Sequence, residues 1–386
     1  MNIRHKLIIP AAYTIIGMCG FYLSMYQISL LSISQTLKLS SFMMGAIVAL
    51  QFAGLCLPPL FLGTLCEKIG RRGVVMISMP LIIFGTFLVS MTQGLAFFII
   101  GIVFIGAGFS VTEGTLTATL GVEFSEHSTL HLGMSQAAFS LGAVISPFLC
   151  QTLMDAGWKY NALFGMVSAI FFVLFMLFIA TKQLKDVKGV KEAGTGAALK
   201  FFKHGVFVFM SVAIAMYVAT EELVSFFTDS FFKLTLNAPE FSALSLSLFW
   251  AGMIPTRMLL GVIKHRHKEV IIGCAAGIAV CIGVALLVPA MPIKTAAFCA
   301  LGAFCGPCWP LIMDMAAKRY PQSAGTVSNV MISVGGIGGA VMPIVAGAFI
   351  TGADFMPVFL VAMACAATMA GMLFLTRRER DAQQNT

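Results

Sequence analysis

Charge is scarce in this chain. Of its 386 residues, 10% are Asp, Glu, Lys or Arg, 59% are hydrophobic, and mean hydropathy is +0.95. A soluble domain of this size cannot hide that much apolar surface, so the composition excludes one. Long polar segments are lacking as well. The longest runs from Lys182 to His204 and leaves no room for a soluble catalytic domain. No glycine-rich phosphate cradle precedes a soluble helix, which removes support for ATP-driven work. The ten cysteines are scattered through apolar segments rather than paired in outside loops, against a disulfide framework. No nucleophile–base pair or metal cluster is visible, which argues against a membrane enzyme, and no cofactor is expected.

What is present is a series of apolar runs. A hydrocarbon layer of ~30 Å needs roughly 20 helical residues to cross it. Twelve runs qualify: about 7–35, 41–65, 73–91, 94–120, 131–154, 160–181, 205–230, 238–263, 270–289, 293–317, 323–350 and 354–376. The net charge of +8 follows the same segmentation and is no nucleic-acid signal. Of the 24 Lys and Arg residues, 19 fall on the side of the termini and four on the other. That asymmetry places both termini inside the cell. The remaining basic residue, Arg257, lies within the eighth run. The amino-terminal run is far longer than the apolar core of a signal peptide, so it reads as a retained first helix.

The second half repeats part of the first at an offset of 196. Gly106 falls on Gly302, Ala107 on Ala303, Gly142 on Gly338 and Pro147 on Pro343, and Phe124 matches Tyr320. Six helices in each half, joined by a basic linker, are the expected organisation: residues 1–181, linker 182–204, and 205–386. A short surface helix is expected near Ala197–Lys203 of that linker. A duplicated, very apolar chain implies a transporter with its site between the halves.

Ionisable side chains inside spans mark the candidate site, because burying them is unfavourable unless they face a polar path. Glu113 in the fourth span is the leading proton carrier. Its repeat counterpart is Trp309, and an acid facing an aromatic suits a sugar, with hydroxyls on its edge and C–H groups on its face. Glu221 and Glu222 follow Tyr217 in the seventh span and point about 100° apart, so one of them is expected to line the cavity. Gln27, Gln136 and Asn329 offer uncharged donors and acceptors. Arg257 and Asp314 are expected to pair as a conformational latch, since an unpaired arginine there would be strongly disfavoured. His127 and His131 have helical ligand spacing but no third ligand, so no metal is expected. Cys305 and Cys308 read as two small residues on one helix face.

Between the second and third spans stands Gly63-Thr-Leu-Cys-Glu67-Lys68-Ile-Gly70-Arg71-Arg72. It resembles the G-x-L-x-D-R-x-G-R-R signature of the major facilitator superfamily, with Glu67 in place of Asp. The basic cluster suits an anionic inner surface, and the signature is tied to conformational switching. Lys264, Arg266 and Lys268 form a degenerate copy in the second half. Further residues narrow the resemblance: Tyr217-Val-Ala-Thr-Glu221, Phe226-Phe227, Ser247-Leu-Phe-Trp250, Gly325-Thr-Val-Ser-Asn329, and Gln136-Ala-Ala-Phe139-Ser140-Leu-Gly142-Ala143. These segments look like spans of the fucose/galactose/glucose–proton symporter family. The resemblance implies a twelve-helix major facilitator fold. It also implies that Glu113 contacts sugar and takes part in proton coupling. The first-span aspartate of the fucose symporters falls on Gln27, and their fifth-span asparagine on Phe139. Gln27 cannot carry a proton, which leaves Glu113 to do so alone, or with Glu221 or Glu222.

The expectation is therefore an all-α, monomeric, twelve-span transporter of a bacterial inner membrane. It imports a small neutral sugar with a proton by alternating access. Its partners are the solute, protons and the bilayer, with no nucleic acid. Gln27, Glu113, Gln136, Tyr217, Glu221, Trp250, Trp309 and Asn329 are the expected solute contacts, with Glu113 and Glu221 carrying protons. Gly63, Glu67, Gly70, Arg71, Arg72, Arg257 and Asp314 form the expected latch. A proton-coupled exporter of amphipathic compounds is the alternative, drawn from 25 methionines and 34 phenylalanines. A membrane sensor or scaffold is a third reading, disfavoured by the lack of a large soluble domain.

Overall fold

The computed structural model describes residues 8–56, 58–91, 94–123, 128–180, 201–259, 266–320 and 324–384. Glycine, proline and apolar side chains build helices here because lipid offers the backbone no hydrogen-bond partner, so each span must satisfy its own amides. The helices are α1 (Ile8–Leu37), α2 (Ser41–Cys56), α3 (Pro58–Met91), α4 (Leu95–Glu123), α5 (Ser128–Asp155), α6 (Tyr160–Ala180) and α7 (Gly205–Ser230). There follow α8 (Ser242–Met258), α9 (His267–Leu287), α10 (Met291–Cys305), α11 (Cys308–Arg319), α12 (Ala324–Ala348) and α13 (Met356–Gln384).

These make twelve spans. Ten helical segments among the described residues are long and apolar enough to cross a membrane. The second span is α2 continuing into α3, and the eighth is the 17-residue α8 that carries Arg257. The second and third spans meet at Gly70, whose φ of 72° and ψ of 159° interrupt α3. Only glycine takes that backbone without strain, which is the physical role of this position in the signature. The tenth span is α10 and α11 together, broken at Gly306–Pro307. Cys305 and Cys308 therefore flank a break instead of sharing one helix face. The linker's expected surface helix lies mostly outside the described residues, as do His127 and Phe124.

Helix packing follows the sequence repeat. Within the first half α1 lies on α5, α2 on α4, and α3 on α4 and α6. The second half repeats each contact: α7 on α12, α8 on α10, and α9 on α10 and α13. Between halves α2 meets α12, α5 meets α8, and α1 meets α7. The same pseudo-twofold explains the repeated glycines. A Cβ on Gly142 would overlap the carbonyl of Gly17, and one on Gly338 would overlap that of Ala215. Gly106 and Gly302 sit in the same way on the carbonyls of Gln51 and Phe249. Large apolar side chains such as Val280, 65% exposed, form the outer surface that lipid covers.

The close approach yields a prediction. Gly142→Val and Gly338→Val should each lower stability by about 1–3 kcal/mol through overpacking. Gly371, with nothing within 4 Å of a built Cβ, is the control. Melting of the purified protein in detergent checks this, and equal Tm values for all three variants would refute it.

Candidate functional site

Polar side chains meet in one layer between the halves. On α4, Glu113 is half-buried and accepts hydrogen bonds from Gln136 Nε2 at 3.2 Å and Thr117 Oγ1 at 3.4 Å. Thr117 is one turn along α4, and Gln136 is on α5. One turn beyond Gln136, on the same face of α5, is Ser140. Its Oγ accepts from Arg257 Nη1 at 2.8 Å, across the boundary between the halves. The other arm of that guanidinium, Nη2, reaches Glu221 Oε1 on α7 at 3.4 Å. Arg257 also stands within electrostatic reach of Glu113. One buried cation thus joins an acid of the second half to a hydroxyl of the first.

Asp314 takes no part in this arrangement. It pairs instead with His267 at 3.0 Å and with Lys318, one turn along α11, at 2.7 Å. The expected Arg257–Asp314 pair is corrected accordingly. The reason is geometric: Asp314 is held among basic groups at the end of α11, while the Arg257 fork turns into the core.

Above this network lies an aromatic and amide layer. Trp250 Nε1 donates to Gln27 Oε1 at 3.1 Å, and Gln27 Nε2 donates to Ser225 Oγ at 2.9 Å. These bonds tie α1 to α7 and α8. Phe139 packs on Trp250 with ring centroids 5.8 Å apart, and Tyr26 meets Phe226 edge-on at 5.1 Å. Tyr217 lies 6.5 Å from Trp309, which follows directly on the break in the tenth span. Gln27, Tyr217, Trp250 and Glu221 are buried, whereas Glu113, Gln136, Trp309 and Asn329 are half-buried. Glu221 and Glu222 are both buried and face different partners, as their 100° separation requires.

On the face opposite the termini stands a contact between the halves that sequence reasoning missed. Lys233, in the π-helical turn Phe231–Thr235, is 2.8 Å from buried Asp229. It also donates to Gln151 Oε1 of α5 at 2.9 Å, linking the two halves. Ser242 donates a further hydrogen bond to Asp229. Lys233 read from sequence only as a loop residue, because the π turn that aims it inward has no sequence signal. Ser140 did have one, its four-residue spacing from Gln136.

On the terminal face the signature is anchored through Arg72. Its Nη2 donates to the Ile179 carbonyl at 2.9 Å, and its guanidinium lies 5.4 Å from the Phe178 ring centroid. Arg71 and Gly70 stand beside it at the break, while the side chains of the signature's Glu67 and Lys68 lie outside the described residues. The same holds for the surroundings of Gly63. His131 is hydrogen-bonded with the Tyr13 hydroxyl at 2.6 Å.

Twelve spans in two like halves, with a polar layer between them, define an integral membrane transporter rather than an enzyme. The chain belongs to the Major Facilitator Superfamily, whose model matches residues 11–343. A curated relative, the glucose/mannose transporter GlcP of Bacillus subtilis (strain 168), is 21% identical over 322 residues, covering 78% of each protein. Among solved structures, a variant of the E. coli fucose:proton symporter FucP superposes with a TM-score of 0.69 at 15% identity. That match covers 95% of this chain and 98% of the other. A mutant of the nucleoside transporter NupG superposes with a TM-score of 0.75 at 14% identity, covering 97% and 100%.

Proposed function

We propose that this protein imports a small neutral sugar together with a proton, by alternating access. The observation that carries the reading is Glu113: a half-buried acid held by Gln136 and Thr117, within electrostatic reach of Arg257, which itself pairs with Glu221. An acid so placed can take a proton and also accept a hydroxyl of the solute. Gln136 and Asn329 supply further polar contacts, and Trp309 and Tyr217 an apolar face for C–H groups. Gln27 and Trp250 satisfy one another in this closed arrangement, so they form the roof of the site. The names of the curated relative and of the fucose:proton symporter support a sugar and a proton as the pair carried.

In this reading the moving bodies are residues 1–181 and 205–386, joined by 182–204. Both termini face the cytoplasm of a bacterium, and the monomer is the working unit. The segment of Gly63, Glu67, Gly70, Arg71 and Arg72 controls switching on the terminal face, and Lys233 with Gln151 closes the opposite one. Arg257 is the counter-ion that holds Glu221 and Ser140 together while the halves are closed, without Asp314.

Uptake into proteoliposomes tests the assignment. With an alkaline interior and a panel of labelled hexoses, pentoses and deoxysugars, one sugar should accumulate and be lost when the pH gradient is collapsed. Accumulation of none of them by folded protein would sink the sugar assignment and favour export of amphipathic compounds.

A further inference from the structure

Glu222 is the buried acid that the network above leaves without a cation. Its side chain is 5% exposed, and its Oε2 has no hydrogen-bond partner among the described residues. Gln27 and Ser225 stand beside the carboxyl, and the charged group within electrostatic reach is Glu221, of the same sign. Arg257 is turned to Glu221 and Ser140. Apart from Arg257 on α8, the helices on α7 bring no charged contact to Glu222, and Asp229 and Lys233 at the outer end of α7 pair with one another. Helix α1 offers Tyr26 and Gln27, and α8 carries Trp250, two turns before Arg257. Neither α12 from Val327 onward nor α13 up to Thr376 contains a charged residue. The charged groups of α11 are Asp314, Lys318 and Arg319 at its far end, with Asp314 engaged by His267 and Lys318.

An ionised carboxylate buried without a cation, next to a like charge and with one oxygen unpartnered, is strongly disfavoured, whereas a carboxylic acid is neutral and carries its own donor. Beside Glu222 stand Gln27 and Ser225, and Gln27 is bonded in turn to Trp250; these bonds cross from one half to the other. Those bonds part when the halves separate on the side away from the termini, and water then reaches the carboxyl.

We propose that Glu222 is a second proton-binding site of the transport cycle, loaded as the halves close over it and freed to ionise as the layer of Gln27, Ser225 and Trp250 opens. The proposal rests on the proton-coupled reading above and adds a site that touches no solute. Glu113 links the proton to the solute. Glu222 links a proton to closure, in loaded and empty carriers alike. In this proposal Glu221, paired with Arg257, serves as a structural counter-ion and Glu222 carries the second proton.

The experiment needs no solute. Trp250 sits in the closing layer, and replacing Trp158 and Trp309 by phenylalanine leaves it the sole emitter among the three tryptophans. In that full-length background, lowering the pH should shift Trp250 emission to the blue as the layer closes and water leaves the ring. Glu222→Gln should emit at the blue limit across the whole range, with the titration lost. Glu113→Gln should keep the titration, and Glu222→Asp should keep it with a displaced midpoint, which guards against a folding artefact in the glutamine variant. A shift that persists unchanged in Glu222→Gln, or that disappears in Glu113→Gln alone, overturns the assignment, as does the absence of any shift in the parent. Failure of sugar uptake would leave this result standing, and failure here would leave Glu113 in place.

Discussion

Replacing Glu113 by glutamine is expected to abolish accumulation of solute against its gradient while exchange continues. The substitution keeps the shape of the side chain and an oxygen that can accept from Gln136 and Thr117. It removes the capacity to bind and release a proton in the working range. One proton moving down one pH unit supplies about 1.4 kcal/mol, so a one-proton symporter can concentrate its solute about tenfold per pH unit. In the variant that ratio should fall to about one, because solute binding no longer demands a proton. Counterflow in the same vesicles should persist, since exchange needs only that loaded carriers reorient. Full accumulation by Glu113→Gln would remove the residue from the coupling mechanism. Loss of counterflow along with accumulation would show that it acts in solute binding or folding alone.

The second large effect concerns Arg257. Its two arms hold Glu221 of its own half and Ser140 of the other. Both charged side chains are buried, at 5% and 11% exposed. Removing one member of such a pair leaves an uncompensated charge in a place water does not reach, at a cost of about 3–5 kcal/mol. Arg257→Met should therefore lower the melting temperature in detergent sharply. Combining it with Glu221→Leu should recover most of the loss, because replacing both partners by apolar groups is often close to neutral. Arg257→Lys should recover less, since a single ammonium lacks the fork that joins two partners. A double variant no more stable than Arg257→Met would mean that the pair is not the source of the arginine's contribution.

Much of the architecture is legible in the residues themselves. Apolar runs of spanning length dictate helices, because the bilayer core leaves no other partner for the backbone. The repeat at offset 196 anticipates the equivalent close backbone approaches made by Gly142 and by Gly338, and by Gly106 and by Gly302, since glycine is required where two backbones touch. Gly70 stands in the signature because the chain there adopts a φ of 72°. Glu113 and Gln136 were identifiable because polar groups are rare in spans and disfavoured without a purpose.

The partner of each polar group was settled by the tertiary structure. Arg257 and Asp314 are near one another in span level, yet the direction of each side chain sends the first to Glu221 and Ser140 and the second to His267 and Lys318. Adjacent Glu221 and Glu222 look alike in sequence. The helical step turns one to a cation and leaves the other beside Gln27 and Ser225. Lys233 became a cross-half contact through one π-helical turn. Composition and periodicity determine which side chains must leave the lipid, because that depends on polarity and depth alone. Only the packed helices decide whom each meets, because that depends on rotation about the helix axis to within a few tens of degrees.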